Sequence, residues 1–188
     1  MSKLKWKPGT MIYPLPPALV SCGTMENSNV LTVAWTGILC TDPSMTYVSI
    51  RKERHSYNII KETGEFVINL ASADLAKQVD FCGVKSGKNI DKFKECNFTK
   101  ETGTETKAPM IKECPIAIEC RVKEIRELGT HDMFMAEILA VNVDEKYLDE
   151  TGRFDMEACN LLAYSHGHYY RLGEKLGKFG FSVEKKGK

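Results

Sequence analysis

The chain has 188 residues, 43% hydrophobic and 27% charged, the composition of an ordinary globular domain and a length that suggests one domain over 1–188. Its 26 Lys and Arg balance 25 Asp and Glu to a net charge of +1, which argues against nucleic acid as a partner, since such binders gather a basic excess on one face. No apolar run reaches the ~18 residues of a membrane helix, and Pro14, Pro16 and Pro17 interrupt the stretch after the basic start, so neither a membrane span nor a signal peptide is expected.

Seven cysteines, at 22, 40, 82, 96, 114, 120 and 159, are odd in number and contain no Cys-x-x-Cys pair. Structural zinc asks for two close Cys or His pairs, and His166 and His168 have no third ligand at a supporting spacing; no metal site is expected. The thiols read as small, reduced hydrophobes of a cytoplasmic protein.

In chain order, residues 1–17 read as an extended arm, because Pro8, Pro14, Pro16 and Pro17 remove backbone donors. An apolar strand over 18–25 follows, then a polar turn at 26–29. A β-branched and aromatic strand over 30–39 forms a hairpin with the first, and another strand covers 46–50. The period then changes: Tyr57, Ile59 and Ile60 fit a helix that begins at Ser56 and ends near Gly64. Residues 65–70 return to strand, 73–81 to helix, 85–88 form a Gly- and Lys-rich loop and 91–96 a short helix. Residues 99–107 carry almost no apolar side chains and read as an exposed, mobile loop.

Beyond Pro115, Ile116, Ile118, Cys120 and Val122 alternate with Ala117, Glu119, Arg121 and Lys123, the pattern of a strand with one wet face. After a turn at Gly129, 133–143 is a strand apolar on both faces, which needs cover from a helix or a second subunit. A last helix is expected over 156–164, then a tail from Tyr169 whose end, 178–188, is loose. Six or seven strands with short helices between them do not alternate as in a parallel sheet. They fit a mainly β, antiparallel barrel with helical insertions.

Two nucleotide motifs fail. No Gly-x-Gly-x-x-Gly follows a strand, and Gly83 and Gly87 enclose three residues where a P-loop needs four. The segment 49–58 is different. Arg51, Lys52 and Arg54 lie at the end of a strand, and Ser56 is placed to cap the helix that follows. Free N–H groups and the positive dipole end of a helix favour a phosphate there, and Arg51 adds a bidentate contact. A solvated basic turn with an ordinary cap explains the same residues, so the segment alone leaves both readings open.

Several modest motifs follow one another: Asn29, Thr32, Trp35 and Thr36 in 29–36; the 49–56 segment; Phe66 to Asn69; 81–93, with Gly83, Ser86, Lys88 and Lys92; 129–137, with His131 and Asp132; and 164–173. Their order, over roughly 13–177, resembles the flavin reductase-like family of FMN-binding split barrels. Val30-Leu31 departs from it, since many members carry a methionine before the threonine. The resemblance implies a homodimer with one non-covalent FMN per subunit. It implies that Asn29, Thr32, Ala34, Trp35 and Thr36 line the flavin, that Ser49, Ile50, Arg51, Lys52, Ser56 and Tyr57 hold the phosphate end, and that Ser86 and Lys88 add polar contacts. A flat ring needs a dry slot with a few donors; a dianion wants Arg, Lys and amide dipoles.

Three aromatic positions keep two readings each. Trp35 stacks on the flavin or packs at the core or a dimer interface. Tyr13 covers the flavin edge or straps down the arm, and His131 meets an incoming nicotinamide as the catalytic candidate or is a surface group. The cofactor carries the chemistry in such proteins, so no hydrolase-like acid–base pair is expected. The implied activity is a flavin-dependent oxidoreductase passing electrons from NAD(P)H or a redox partner protein to an acceptor. Two other classes stay open: an FMN electron carrier with no NAD(P)H turnover of its own, and a barrel for a non-flavin ligand.

Overall fold

A computed structural model describes residues 1–183. Its elements are β1 (Ala18–Gly23), β2 (Ser28–Val33), β3 (Thr36–Cys40), β4 (Met45–Arg51), α1 (His55–Thr63), β5 (Glu65–Leu70), α2 (Ala76–Val84), α3 (Lys92–Glu95), β6 (Lys100–Glu101), β7 (Met110–Ile111), β8 (Ile116–Glu127), β9 (His131–Val143), β10 (Leu162–Ser165) and β11 (His168–Arg171). Among the described residues one seven-stranded sheet runs in the order β2-β1-β5-β8-β9-β4-β3, each neighbouring pair antiparallel. The expected hairpin is there: Ala18 pairs with Val33 and Gly23 with Ser28.

The sheet curls because its two edges are joined by the chain itself. What reads in sequence as one strand over 30–39 breaks at Ala34 and Trp35 into β2 and β3, which lie at opposite edges of the sheet. The Thr36 N–H donates to the Ala34 carbonyl at 3.0 Å, a tight bend, and the Trp35 carbonyl accepts from Ser49 N–H at 2.8 Å. That link closes a split β-barrel. Strand propensity cannot show such a kink, because the residues on both sides of it are good strand formers.

The barrel interior holds Val20, Val48, Ile50, Phe66, Phe134 and Ala136, with α1 laying Tyr57 and Ile60 onto the same cluster. Phe66 and Phe134 are wholly buried, each contributing about 1.5–3 kcal/mol. A second cluster lies outside, where Val79 and Cys82 of α2 and Phe93 of α3 cover Leu19 and Val30. This explains why β1 is buried at all six of its positions. Gly64 ends α1 in the left-handed conformation at φ 69°, its N–H returning to the Ile60 carbonyl, as glycine does at a helix end.

Several expectations are corrected. The 99–107 segment is tied down: β6 pairs with β7, and the N–H groups of Thr104, Glu105 and Thr106 donate to the carboxylate of Glu119. Glu119 is therefore wholly buried and lies on no wet face. No helix forms over 156–164. Asp155 caps a single turn by accepting from Glu157 and Ala158 N–H, Asn160 takes φ 46°, and Leu162 N–H bonds to the Ala71 carbonyl. The chain then forms the β10–β11 hairpin, with His166 and Gly167 both at positive φ, the conformation of a tight two-residue hairpin turn.

The arm is exposed through Ile12, and Leu15 bonds to Tyr164 in both directions. Residues 172–183 are exposed apart from half-buried Gly180; 184–188, the rest of the expected loose end, lie outside the described residues. The outward positions of β9 are half-buried, with Val141 exposed. All seven cysteines are free thiols and six are buried. Among the described residues no helix is long and apolar enough to cross a membrane.

Candidate functional site

Two cavities meet at the barrel mouth. The larger, about 460 Å³, is lined by Thr32, Val33, Ala34 and Trp35 where β2 leaves the sheet, by Ser49, Ile50 and Arg51 at the end of β4, and by Gly83 and Val84 of α2. His131, Tyr164, Gly167 and Tyr169 close its outer side. The smaller, about 240 Å³, is lined by Asn29, Arg51, Arg54, Ser56, Ser86, Gly87 and Lys92, among others. Leu31, Arg51 and Arg54 belong to both walls, so the cavities adjoin.

The slot is held in shape by backbone and short side chains. Thr32 Oγ1 donates to the Val79 carbonyl at 2.5 Å and so locks β2 to α2. The Trp35 and His131 rings lie nearly parallel, 12° apart with centroids at 6.2 Å. His131 Nδ1 is 2.9 Å from Thr130 Oγ1. Burial, and then the cation of Arg51, push the imidazole pKa below its usual value against the opposing charge of Glu53, which favours the neutral ring. Tyr13 edges onto Tyr164 and His166, at 6.1 and 6.0 Å, and Tyr169 donates to Asp80 at 3.2 Å.

The smaller cavity gathers four cations, Arg51, Arg54, Lys85 and Lys92, with Glu53 in the same wall. Ser56 is the second residue of α1, with Arg54 at the N-cap making no side-chain cap bond. The expected capping role of Ser56 is thus corrected: its Oγ accepts from Asn29 Nδ2 at 2.6 Å. Gly87 is required by close approach, since a Cβ there would lie 2.0 Å from Asn29 Oδ1. Lys92 is 3% exposed. Its Nζ donates to the Cys82 carbonyl at 2.8 Å, and its charged neighbour is a second cation, Arg54, with the thiols of Cys82, Cys96 and Cys22 around it. Burial pulls the Lys92 pKa down first of all. Glu53 in the cavity wall is ion-paired to Arg51, so the buried Lys92 ammonium has no acid partner among the described residues; that is costly, and an anion in the cavity removes the cost.

The family model of the flavin reductase like domain matches residues 10–173. The chain belongs to this family. It is similar to flavoredoxin of Desulfovibrio vulgaris (Miyazaki F), at 34% identity and TM-score 0.88, covering 98% of this chain and 100% of that one. Flavoredoxin from Methanosarcina acetivorans is 31% identical, with TM-score 0.87 over 98% of this chain and 100% of that one. An FMN-binding protein from Thermus thermophilus, solved with 1-cyclohex-2-enone bound, is 26% identical, with TM-score 0.79 over 95% and 99%.

Against this flavin reductase-like frame, Asn29, Thr32, Ala34, Trp35, Ser49, Ile50, Arg51, Ser56, Ser86 and His131 all line the two cavities. Thr36, Lys52, Tyr57 and Lys88 do not. Thr36 Oγ1 donates to the Tyr47 carbonyl, Lys52 and Tyr57 reach Asp132, and the Lys88 backbone N–H braces Ser86 Oγ. Sequence reasoning did not single out Lys92, Tyr164 or Tyr169 as site residues. The signal for Lys92 was its place at the first turn of a short helix beside Phe93, a position facing the core.

Proposed function

We propose that the chain binds FMN without a covalent bond and works as a flavin-dependent oxidoreductase. The flavin lies in the larger cavity and the phosphate in the smaller. The observation that carries this reading is Lys92, a buried cation with no acid paired to it among the described residues, set with Arg51, Arg54 and the N–H groups of the first turn of α1 around one small cavity. That donor set fits a dianionic phosphate, and the adjoining slot, bounded by Thr32 to Trp35 and Gly83, fits a flat ring. Membership of the family and the likeness to two flavoredoxins and an FMN-binding protein support the same reading.

Bound FMN would supply two-electron chemistry between a reduced nicotinamide, or a redox partner protein, and an acceptor. The chain's own part is to bind and orient. Arg51, Arg54 and Lys92 hold the phosphate, the Ala34–Trp35 bend and the Ser49 backbone hold the ring edge, and His131 with Trp35 shapes the face that a donor reaches. Purified protein is expected to be yellow and to release FMN, not FAD, on boiling; a colourless protein that cannot be reconstituted with FMN sinks the reading. NADH or NADPH bleaching the bound flavin directly separates a reductase from an electron carrier. Six buried thiols among seven free ones suit a reducing cytoplasm.

A homodimer belongs to the same proposal. Ile38 on β3 and Val141 on β9 are 86% and 57% exposed, and a second copy would cover such apolar positions. Sedimentation at micromolar concentration is expected to show a dimer; a species of monomer mass alone contradicts it.

A further inference from the structure

Tyr57 and Lys52 stand beside the site, line neither cavity, and converge on Asp132. That residue is wholly buried. It pairs with Ile50 in the β4–β9 ladder and shares a face of β9 with Phe134, two residues on. Its Oδ2 accepts from the Tyr57 hydroxyl at 2.6 Å and lies 3.5 Å from Lys52 Nζ, which also reaches Glu127 at 3.3 Å. Its Oδ1 has no hydrogen-bond partner among the described residues. For folding alone, an apolar side chain would cost less there than a carboxylate with one oxygen unpaired.

The chain on either side shows what the carboxylate holds. Tyr57 follows Ser56, whose Oγ accepts from Asn29 in the smaller cavity. The Tyr57 ring sits edge-on to Phe134, 5.2 Å away and at 78°, an apolar contact that is less directional than a hydrogen bond. The hydroxyl bond to Asp132 is directional and fixes how deep the first turn of α1 sits against β9.

We propose that Asp132, acting through Tyr57 with Lys52 as counter-ion, is a positioning residue for the phosphate half of the site, setting the depth of Ser56 and of the N–H groups beside it. This rests on the FMN reading above and goes beyond it, because none of the three residues lines either cavity. A merely structural carboxylate would loosen ring and phosphate contacts alike. A positioning one acts on the phosphate end only.

The test compares FMN with riboflavin, which has the same ring and no phosphate. Tyr57→Phe removes one hydroxyl and keeps the ring on Phe134. It is expected to raise the Kd for FMN about tenfold, while the Kd for riboflavin stays within about twofold. Asp132→Leu is expected to lower the same FMN-over-riboflavin preference, and the double variant to lower it no further than the worse single, because both break one bond. A preference that is unchanged, whether both affinities hold or both fall, overturns the proposal, as does a double variant that multiplies the two single effects. Should Asp132→Leu fail to fold, Lys52→Met at its half-exposed position takes its place, with a smaller drop expected in the same direction. Wild-type protein that binds riboflavin as tightly as FMN overturns the phosphate reading itself, and that result is read before any variant is made.

Discussion

Lys92→Met is expected to raise the stability of the cofactor-free protein and at the same time to weaken FMN binding by roughly ten- to a hundredfold. The two signs have one cause. Without a ligand, the Lys92 ammonium is 3% exposed and has the Cys82 carbonyl as acceptor, with Arg54 as a like charge nearby. Methionine keeps the length of the side chain and removes the desolvated charge, which is worth about 1–3 kcal/mol to folding. With FMN in the proposed place, the same ammonium would make a charge-assisted contact to phosphate worth about 1.5–3 kcal/mol, hence the expected loss in affinity.

A pH test accompanies this prediction. The folded-state pKa of Lys92 is depressed below 10.5, so folding is penalised while the group is charged in both states. The penalty fades as pH rises through the depressed value towards 10.5. The wild-type apoprotein should therefore gain stability over that range, and Lys92→Met should not. Arg51→Ala is the contrast, since Arg51 is half exposed and ion-paired to Glu53 at 3.2 Å. It should lose FMN affinity with folding changed by no more than about 0.5 kcal/mol. Thermal melts and flavin titration of both variants decide the matter; a less stable apoprotein with unchanged Kd in Lys92→Met would remove Lys92 from the site.

What the sequence tells, and what it withholds, divides along the range of the interactions. The β1–β2 hairpin, α1 with its Gly64 stop, and the β8 and β9 ladders are legible because alternation, turn residues and caps act within a few residues. The split at Ala34–Trp35 is not, because the bend is held by Ser49 of β4, the strand beside the edge strand β3 and far across the sheet from β2. The 156–164 stretch carries helix-compatible spacing, yet Leu161 bridges to Ser72 and Leu162 bonds to Ala71, so a distant strand end decides. The site divides the same way. Arg51, Ser56 and Ser86 belong to motifs local in sequence, whereas Lys92 acquires its meaning from Cys82 and Arg54, and Tyr57 and Lys52 from Asp132. Glu119 is the clearest case. Alternation with Arg121 and Lys123 puts it on a wet face, and only the covering segment at 103–106 makes it part of the interior.

Glu119→Gln is expected to cost about 3 kcal/mol of folding stability without touching the flavin site. Six donors converge on the carboxylate. Thr104 N–H, Thr104 Oγ1 and Asn142 Nδ2 reach Oε1, and Glu105 N–H, Thr106 N–H and Thr106 Oγ1 reach Oε2, at 2.6 to 2.9 Å. Gly103 is needed for the segment to come so close, because a Cβ there would lie 2.6 Å from Oε2. Burial alone would raise the carboxyl pKa, but the bonds from Thr104, Glu105 and Thr106 outweigh it and bring the value down to about 2 from 4.5. At about 1.4 kcal/mol for each pH unit, that is about 3 kcal/mol in favour of the folded, ionised state. The sign follows from the depressed value: the contribution is whole above pH 4.5 and is lost as pH falls towards 2. Glutamine turns one acceptor into a donor and sets it against N–H groups that then have no partner. Urea melts at pH 7 should show the loss, and the steep acid dependence of the wild type between pH 4.5 and 2 should flatten in the variant. Hydrogen exchange should also speed up at the amides of Thr104, Glu105 and Thr106, while FMN affinity holds, since Glu119 lines neither cavity. A variant within about 0.5 kcal/mol of wild type at pH 7 would mean that the 103–106 segment is held by its own turns and that the buried carboxylate only follows it.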